Sequence, residues 1–317
     1  MMSNAILLAL APAFFVLALG YGAGRFRIVD NRQIDGLNAF VMDFALPASL
    51  FVASASASRS EMLAQVPLFA IFGLAMLLLY FAWYYLARVV AKVDKADASL
   101  QALTIAFPNL AGVGLPIVSA VLGQAGMVPV AIALASGSIL VSPLTLILVE
   151  MTTREQDGAA EATTRRVLRA LRRALTKPVV LAPALGILLS LSQLEFGPVA
   201  QACLLLVGHG AAGVALFLTG LVLSAQPFRL DWNVVSATGM ADIVRPLLTA
   251  AMVFVLPVSP DVAKAAILLA AVPSGFFGIL FAVNYRLDSA TAGSMVIAST
   301  GFSILTMAIA IAVLFPP

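Results

Sequence analysis

The sequence predicts an all-α polytopic membrane protein of ten transmembrane helices, arranged as two inverted five-helix repeats. Three observations predict it. Of the 317 residues, 62% are hydrophobic and only 10% are charged, with a mean hydropathy of +1.06, whereas soluble domains carry about 25% charged residues. Apolar runs longer than about 18 residues recur along the chain, each able to cross roughly 30 Å of hydrocarbon as a helix. Several proline, glycine and polar positions repeat at a spacing of 165 or 166 residues. Barrel strands are excluded, because they would need only about 10 alternating residues each.

Cutting at charges and turn residues places the spans at 4–24, 33–54, 66–88, 98–122, 127–150, 177–193, 198–223, 233–256, 262–284 and 289–315. The first run lacks a basic start and is followed at once by Arg25 and Arg27, the reverse of a cleavable leader's polarity, so it is read as a span. Connections after odd-numbered spans hold Arg25, Arg27, Arg32, Arg88, Lys92, Lys95, Arg154, Arg165, Arg166, Arg169, Arg172, Arg173, Lys177, Arg229 and Arg286; those after even-numbered spans hold Arg59 and Lys264. Cytoplasmic loops carry the cations, which predicts a multi-pass inner (plasma) membrane protein with both termini periplasmic. The net charge of +3 is therefore a topology signal, and no nucleic-acid partner is expected. One cysteine, Cys203, and one histidine, His209, exclude an internal disulfide and a Cys/His zinc site. No metal or cofactor is expected beyond a proton or sodium gradient.

The longest connection, 151–176, alternates Arg165, Arg166, Arg169, Arg172 and Arg173 with Val167, Leu168, Leu171 and Leu175. That pattern predicts an amphipathic helix on the anionic cytoplasmic leaflet. It also divides the chain into repeats at 1–150 and 177–317. Pro108 and Pro273 differ by 165 positions; Gly20 and Gly186, and Pro12 and Pro178, differ by 166. Five spans per half is an odd number, so the second half enters the membrane upside down, a recurrent plan of secondary transporters.

Span four carries Pro108, Asn109, Gly112, Gly114 and Pro116 in its middle, and span nine carries Pro273, Ser274, Gly275 and Gly278. Each proline lacks an N–H and leaves a carbonyl without its helical partner. Within a membrane such backbone is tolerated only where protein buries it or a watery cavity receives it. Matched interruptions in two repeats point to a binding site where the two helices cross, with half-helix N-termini for an anion and Asn109 or Ser274 to orient the solute.

Asp43, His209, Asp242 and Arg245 lie inside spans, where a charge needs a partner or water. Asp242 and Arg245 are three apart on one helical face and have two readings: an ion pair of their own, or Arg245 receiving a substrate carboxylate that Asp242 releases. Asp43 precedes Pro47 by four residues, so its carboxylate and an unpaired carbonyl fall together, as a proton or sodium site requires; burial would raise its pKa. His209 follows Asp43 by 166 positions and is read as its counterpart. Ser299, Thr300 and Ser303 fit helix-to-helix hydrogen bonding.

At Phe107-Pro108-Asn109-Leu-Ala-Gly112-Val-Gly114-Leu-Pro116, at Leu37-Asn38-Ala-Phe-Val41 through Leu46-Pro47, and at Ser299-Thr300, the chain resembles the auxin efflux carrier family and its bacterial malonate carriers. The likeness extends over essentially the whole chain. It implies a ten-helix fold akin to bile acid/sodium symporters and sodium/proton transporters, working as an elevator. Spans one, two, six and seven would form a scaffold that dimerises, and spans three to five and eight to ten a moving domain. Asn109 matches the family's substrate-contacting residue at the crossover, and Ser274 follows more weakly. The plant members' long cytoplasmic loop is here only the 151–176 connection.

The resulting expectation is a secondary carrier of a small organic anion, a dicarboxylate such as malonate. A sodium/proton or proton/cation exchanger using Asp43 and Asp242 is the first alternative. An intramembrane enzyme or sensor is the second, and a single histidine without a nearby acidic motif argues against an enzyme.

Overall fold

A computed structural model describes residues 2–31, 34–154, 163–194, 196–256 and 258–316, and their regular elements are helices. Arg32 and the side chains of Arg154 and Arg166 lie outside what is described. The helices are α1 (Met2–Arg25), α2 (Asp35–Ala39), α3 (Leu46–Ser56), α4 (Arg59–Ala64), α5 (Val66–Val89), α6 (Lys95–Ala106), α7 (Leu115–Leu122), α8 (Met127–Ser136), α9 (Ser142–Arg154), α10 (Thr163–Leu175), α11 (Pro178–Ser192), α12 (Pro198–Gly208), α13 (Ala211–Ser224), α14 (Trp232–Gly239), α15 (Arg245–Val255), α16 (Pro260–Ala270), α17 (Phe277–Asn284) and α18 (Ala290–Leu314). Their starts follow local chemistry. Asp94, Asp231 and Ser259 cap α6, α14 and α16 by accepting from backbone N–H groups, and Ser58 with Glu61 closes a capping box on α4.

Among the described residues seven helical stretches are long and apolar enough to cross a membrane: Ile6–Arg25, Asp35–Ser56, Arg59–Val89, Met127–Thr152, Pro198–Ser224, Trp232–Val255 and Ala290–Leu314. The protein is therefore a polytopic helical membrane protein. The three other expected spans fall short for physical reasons. Span six is the 15-residue α11, while spans four and nine are each cut into two short helices, α6 with α7 and α16 with α17.

Four π-helical turns, at Phe40–Ala45, Leu110–Gly114, Gly137–Val141 and Met240–Val244, each end two residues before a proline: Pro47, Pro116, Pro143 and Pro246. A proline ring clashes with the carbonyl four residues back, and one extra residue in the preceding turn moves that carbonyl aside without breaking the helix. Asp43, Gly112, Ile139 and Asp242 own those carbonyls. Here the structure corrects the sequence reading: Pro116 does not interrupt span four, and only the segment around Pro108 does.

Two helix pairs pack through glycine. α1 lies against α13, and α3 against α11. A Cβ on Gly20 would collide with the Phe217 carbonyl, and one on Gly186 would sit 2.7 Å from the Phe51 carbonyl oxygen. Gly20 and Gly186, like Phe51 and Phe217, differ by 166 positions. Small residues let membrane helices approach closely enough for dispersion to hold them. Gly20→Leu and Gly186→Leu are expected to destabilise the solubilised protein by about 1–3 kcal/mol each through overpacking. Gly213→Leu, with open space beside it, is expected to leave the thermal midpoint unchanged.

Candidate functional site

The two interruptions meet. α6 ends at Ala106, and the chain runs extended through Phe107 to Asn109 before the next turn begins. α16 ends at Ala270, and α17 begins at Phe277. Pro108 and Ser274 lie opposite each other in an antiparallel bridge. The Asn109 N–H donates to the Pro273 carbonyl at 2.8 Å, and the Gly275 N–H to the Phe107 carbonyl at 2.9 Å. Each broken segment thus supplies the hydrogen bonds that the other lost. Gly275 permits the approach, since a Cβ there would stand 2.5 Å from the Phe107 oxygen. Phe107 and Phe277 close over the crossing with ring centroids 4.9 Å apart.

Asn109 is 3% exposed. Its Oδ1 accepts from the Gly112 N–H at 2.9 Å, capping the turn that follows, and its Nδ2 donates to Thr219 Oγ1 on α13 at 3.3 Å. Gly112 leaves the space in which the Asn109 amide and Thr219 meet. Ser274, 1% exposed, points its N–H at Ser299 Oγ (2.8 Å), and the Ser299 hydroxyl donates to Asp242 Oδ1 (2.8 Å). Asp242 is 1% exposed, and its Oδ2 has no hydrogen-bond partner.

Arg245 is also 1% exposed. Among the described residues no salt bridge joins its guanidinium to Asp242. Nε donates to the Ala270 carbonyl at 2.9 Å, Nη1 to the Ile105 carbonyl at 2.6 Å, and Nη2 to the Val272 carbonyl. Ile105 and Ala270 lie at the C-terminal ends of α6 and α16, where helix dipoles gather negative charge and backbone oxygens lack intrahelical donors, and Val272 lies in the break just after α16. Asp242 and Arg245 act on each other electrostatically without a direct salt bridge, and the hydrogen bonds of the guanidinium go to backbone carbonyls. The cation serves both half-helix ends at once.

Comparison with known proteins bears on this architecture. Residues 5–311 match the family model described as "Membrane transport protein". The chain belongs to that family, the one that includes the auxin efflux carriers. The protein named "Uncharacterized transporter YfdV" of Escherichia coli (strain K12) is 26% identical over 296 residues, covering 92% of this chain and 93% of its own; its Shigella flexneri namesake matches to the same extent.

In this family member the remaining titratable candidates take no part in the hydrogen bonds of the crossing. Asp43 is exposed, against the expectation of burial, because the turn at Phe40–Ala45 directs it to a cavity of about 210 Å³ shared with Asn38, Ser138, Lys177 and Phe277. His209 is exposed at the end of α12, in a cavity of about 160 Å³ with Ser49, Leu115 and Ser119. Pro116 and Pro273 shape backbone, while Thr219, Ser299 and Lys177, which carry no sequence motif of a binding residue, contact the crossing or line the cavity beside it. Ser299 makes the helix-to-helix hydrogen bonds that its place in span ten predicts. Cys203 is a free thiol on the surface. Among the described residues no group of three His, Cys, Asp or Glu side chains could hold a metal.

Removing the arginine leaves three buried carbonyls without a donor, at about 1–3 kcal/mol apiece. Arg245→Met is therefore expected to lower the thermal midpoint of the purified carrier by well over that of the glycine variants, with Arg245→Lys in between. An unchanged midpoint in Arg245→Met would remove Arg245 from the support of the crossing.

Proposed function

We propose that this membrane transport protein is a secondary carrier of a small organic anion, a dicarboxylate such as malonate, with its substrate site at the crossing of the two broken helices. The observation that carries the reading is the mutual pairing of Phe107–Asn109 with Pro273–Gly275 in the middle of the helical bundle. Half-helix N-termini at Leu110 and Phe277 offer positive ends to an anion, and Asn109 and Ser274 place an amide and a hydroxyl beside them. Pro108, Gly112, Pro116, Pro273 and Gly275 shape the backbone that holds these groups.

The ten-crossing reading, with 1–150 and 177–317 as inverted repeats, is supported by the packing of Gly20 on Phe217 and of Gly186 on Phe51, two contacts whose members are related by the same 166-residue offset. The bond from Asn109 to Thr219 joins the crossing to α13, in the unit we take as scaffold with spans one, two and six. An elevator motion of spans three to five and eight to ten would break that bond. The inner membrane, periplasmic termini, a scaffold-mediated homodimer and a proton or sodium gradient as the driving force complete the proposal.

The unpartnered Oδ2 of Asp242 favours a second reading, exchange of a proton or cation. Proteoliposomes loaded with purified protein discriminate the two. Uptake of labelled malonate under an imposed gradient, reduced at least about tenfold in Asn109→Ala at equal folded yield, is the expected outcome, since one charge-assisted bond is worth about 1.5–3 kcal/mol. Proton flux without any carboxylate requirement would transfer the assignment to Asp242.

A further inference from the structure

The cavity beside α17 has the chemistry of an anion site that the crossing itself does not use. Lys177 stands at the first position before α11, with backbone in the extended region, so its ammonium and the N-terminal end of a 15-residue helix add at one point. Pro178 has no N–H, and the Val180 and Leu181 N–H groups donate to the Lys177 carbonyl at 2.9 Å each, so the donor this end can offer is the N–H of Val179, which lines the cavity. The ammonium sits 5.8 Å from the Phe281 ring centroid, within the range of a cation–π contact. Asp43 faces the same cavity and acts electrostatically on Lys177, yet among the described residues no ion pair joins them. Asn38 lines the wall with a buried amide oxygen that has no hydrogen-bond partner, and Ser138 and Ser142 add hydroxyls. Among the described residues no other charged side chain lines it.

We propose that this cavity is a carboxylate subsite of the carrier, with Lys177 receiving the anion and Asp43 competing with it for the ammonium. The inference rests on the anion-carrier reading and extends it to a residue outside the crossing. One ammonium and one helix N-terminus outweigh the single carboxylate, which selects an anion over a cation. A volume of about 210 Å³ suits a short-chain carboxylate with a few waters, since drug-sized ligands occupy roughly 300–1,000 Å³. Phe277, which closes over the crossing through Phe107, also forms part of the cavity wall. A carboxylate held at Lys177 is thereby adjacent to the helix that leads to Ser274.

Two readouts on Lys177→Gln, Lys177→Arg and Asp43→Asn test this: malonate uptake kinetics in proteoliposomes, and the thermal midpoint of solubilised protein with and without malonate. Lys177→Gln is expected to raise the half-saturating malonate concentration about tenfold or more with a near-normal maximal rate, the mark of lost ground-state binding, and to abolish stabilisation by malonate. Lys177→Arg keeps the charge and should restore most of both, and Asp43→Asn should tighten binding. Unchanged half-saturation and unchanged malonate stabilisation in Lys177→Gln, in a preparation whose wild type transports malonate, overturns the subsite alone. A wild type neither stabilised by nor transporting any short carboxylate overturns the carrier reading and the subsite together.

Discussion

A peptide group without a hydrogen bond cannot rest in hydrocarbon, and the structure is organised around the two places where this chain creates such groups. At Pro108 and Pro273 the helices stop inside the bundle. The freed main chain is satisfied by the opposite break and by Arg245, which donates to carbonyls of Ile105, Ala270 and Val272. An arginine suits the role because its rigid fork of N–H groups serves several oxygens at once and keeps its charge when buried. Burying that charge is costly, and the carbonyl ends of two helices are an environment that offsets the cost.

The other prolines behave differently. Pro47, Pro116, Pro143 and Pro246 are each preceded by a π turn that absorbs the ring within a continuing helix. The difference lies in what precedes each one. A widened turn suffices where the neighbouring residues remain helical, whereas Phe107 and Asn109 adopt extended and bridging backbone and pair across the bundle. Two of the widened turns contain Asp43 and Asp242, so the device also places carboxylates beside weakened backbone.

The apolar runs made the class of fold legible, and span boundaries at 4–24 and 289–315 lie close to α1 and α18 because no charge interrupts them. The breaks at Pro108 and Pro273 were legible from proline with glycine at matched positions. The partner of Arg245 was not: spacing on one helix suggested Asp242, but the acceptors are backbone carbonyls more than 20 residues away, and carbonyls have no sequence signature. Asp43 illustrates a related failure. Its place in an apolar run suggested burial, but its direction is set by a π turn, which shifts the helical phase that the 3.6-residue period assumes. In the sequence Lys177 is one of many loop cations, and only the folded chain sets it in one cavity with Asp43.

The central claim is that the two breaks touch. Pro108 and Ser274 form a non-hydrogen-bonded antiparallel pair, for which Cα atoms are about 4.5 Å apart, within the range a disulfide spans. In a Cys203→Ser background, cysteines placed at 108 and 274 can be oxidised and the chain then cut at a protease site engineered into the 151–176 connection. The account requires the two halves to remain joined on a non-reducing gel and to separate once reduced. Halves that separate under both conditions, with the protein folded, would contradict it.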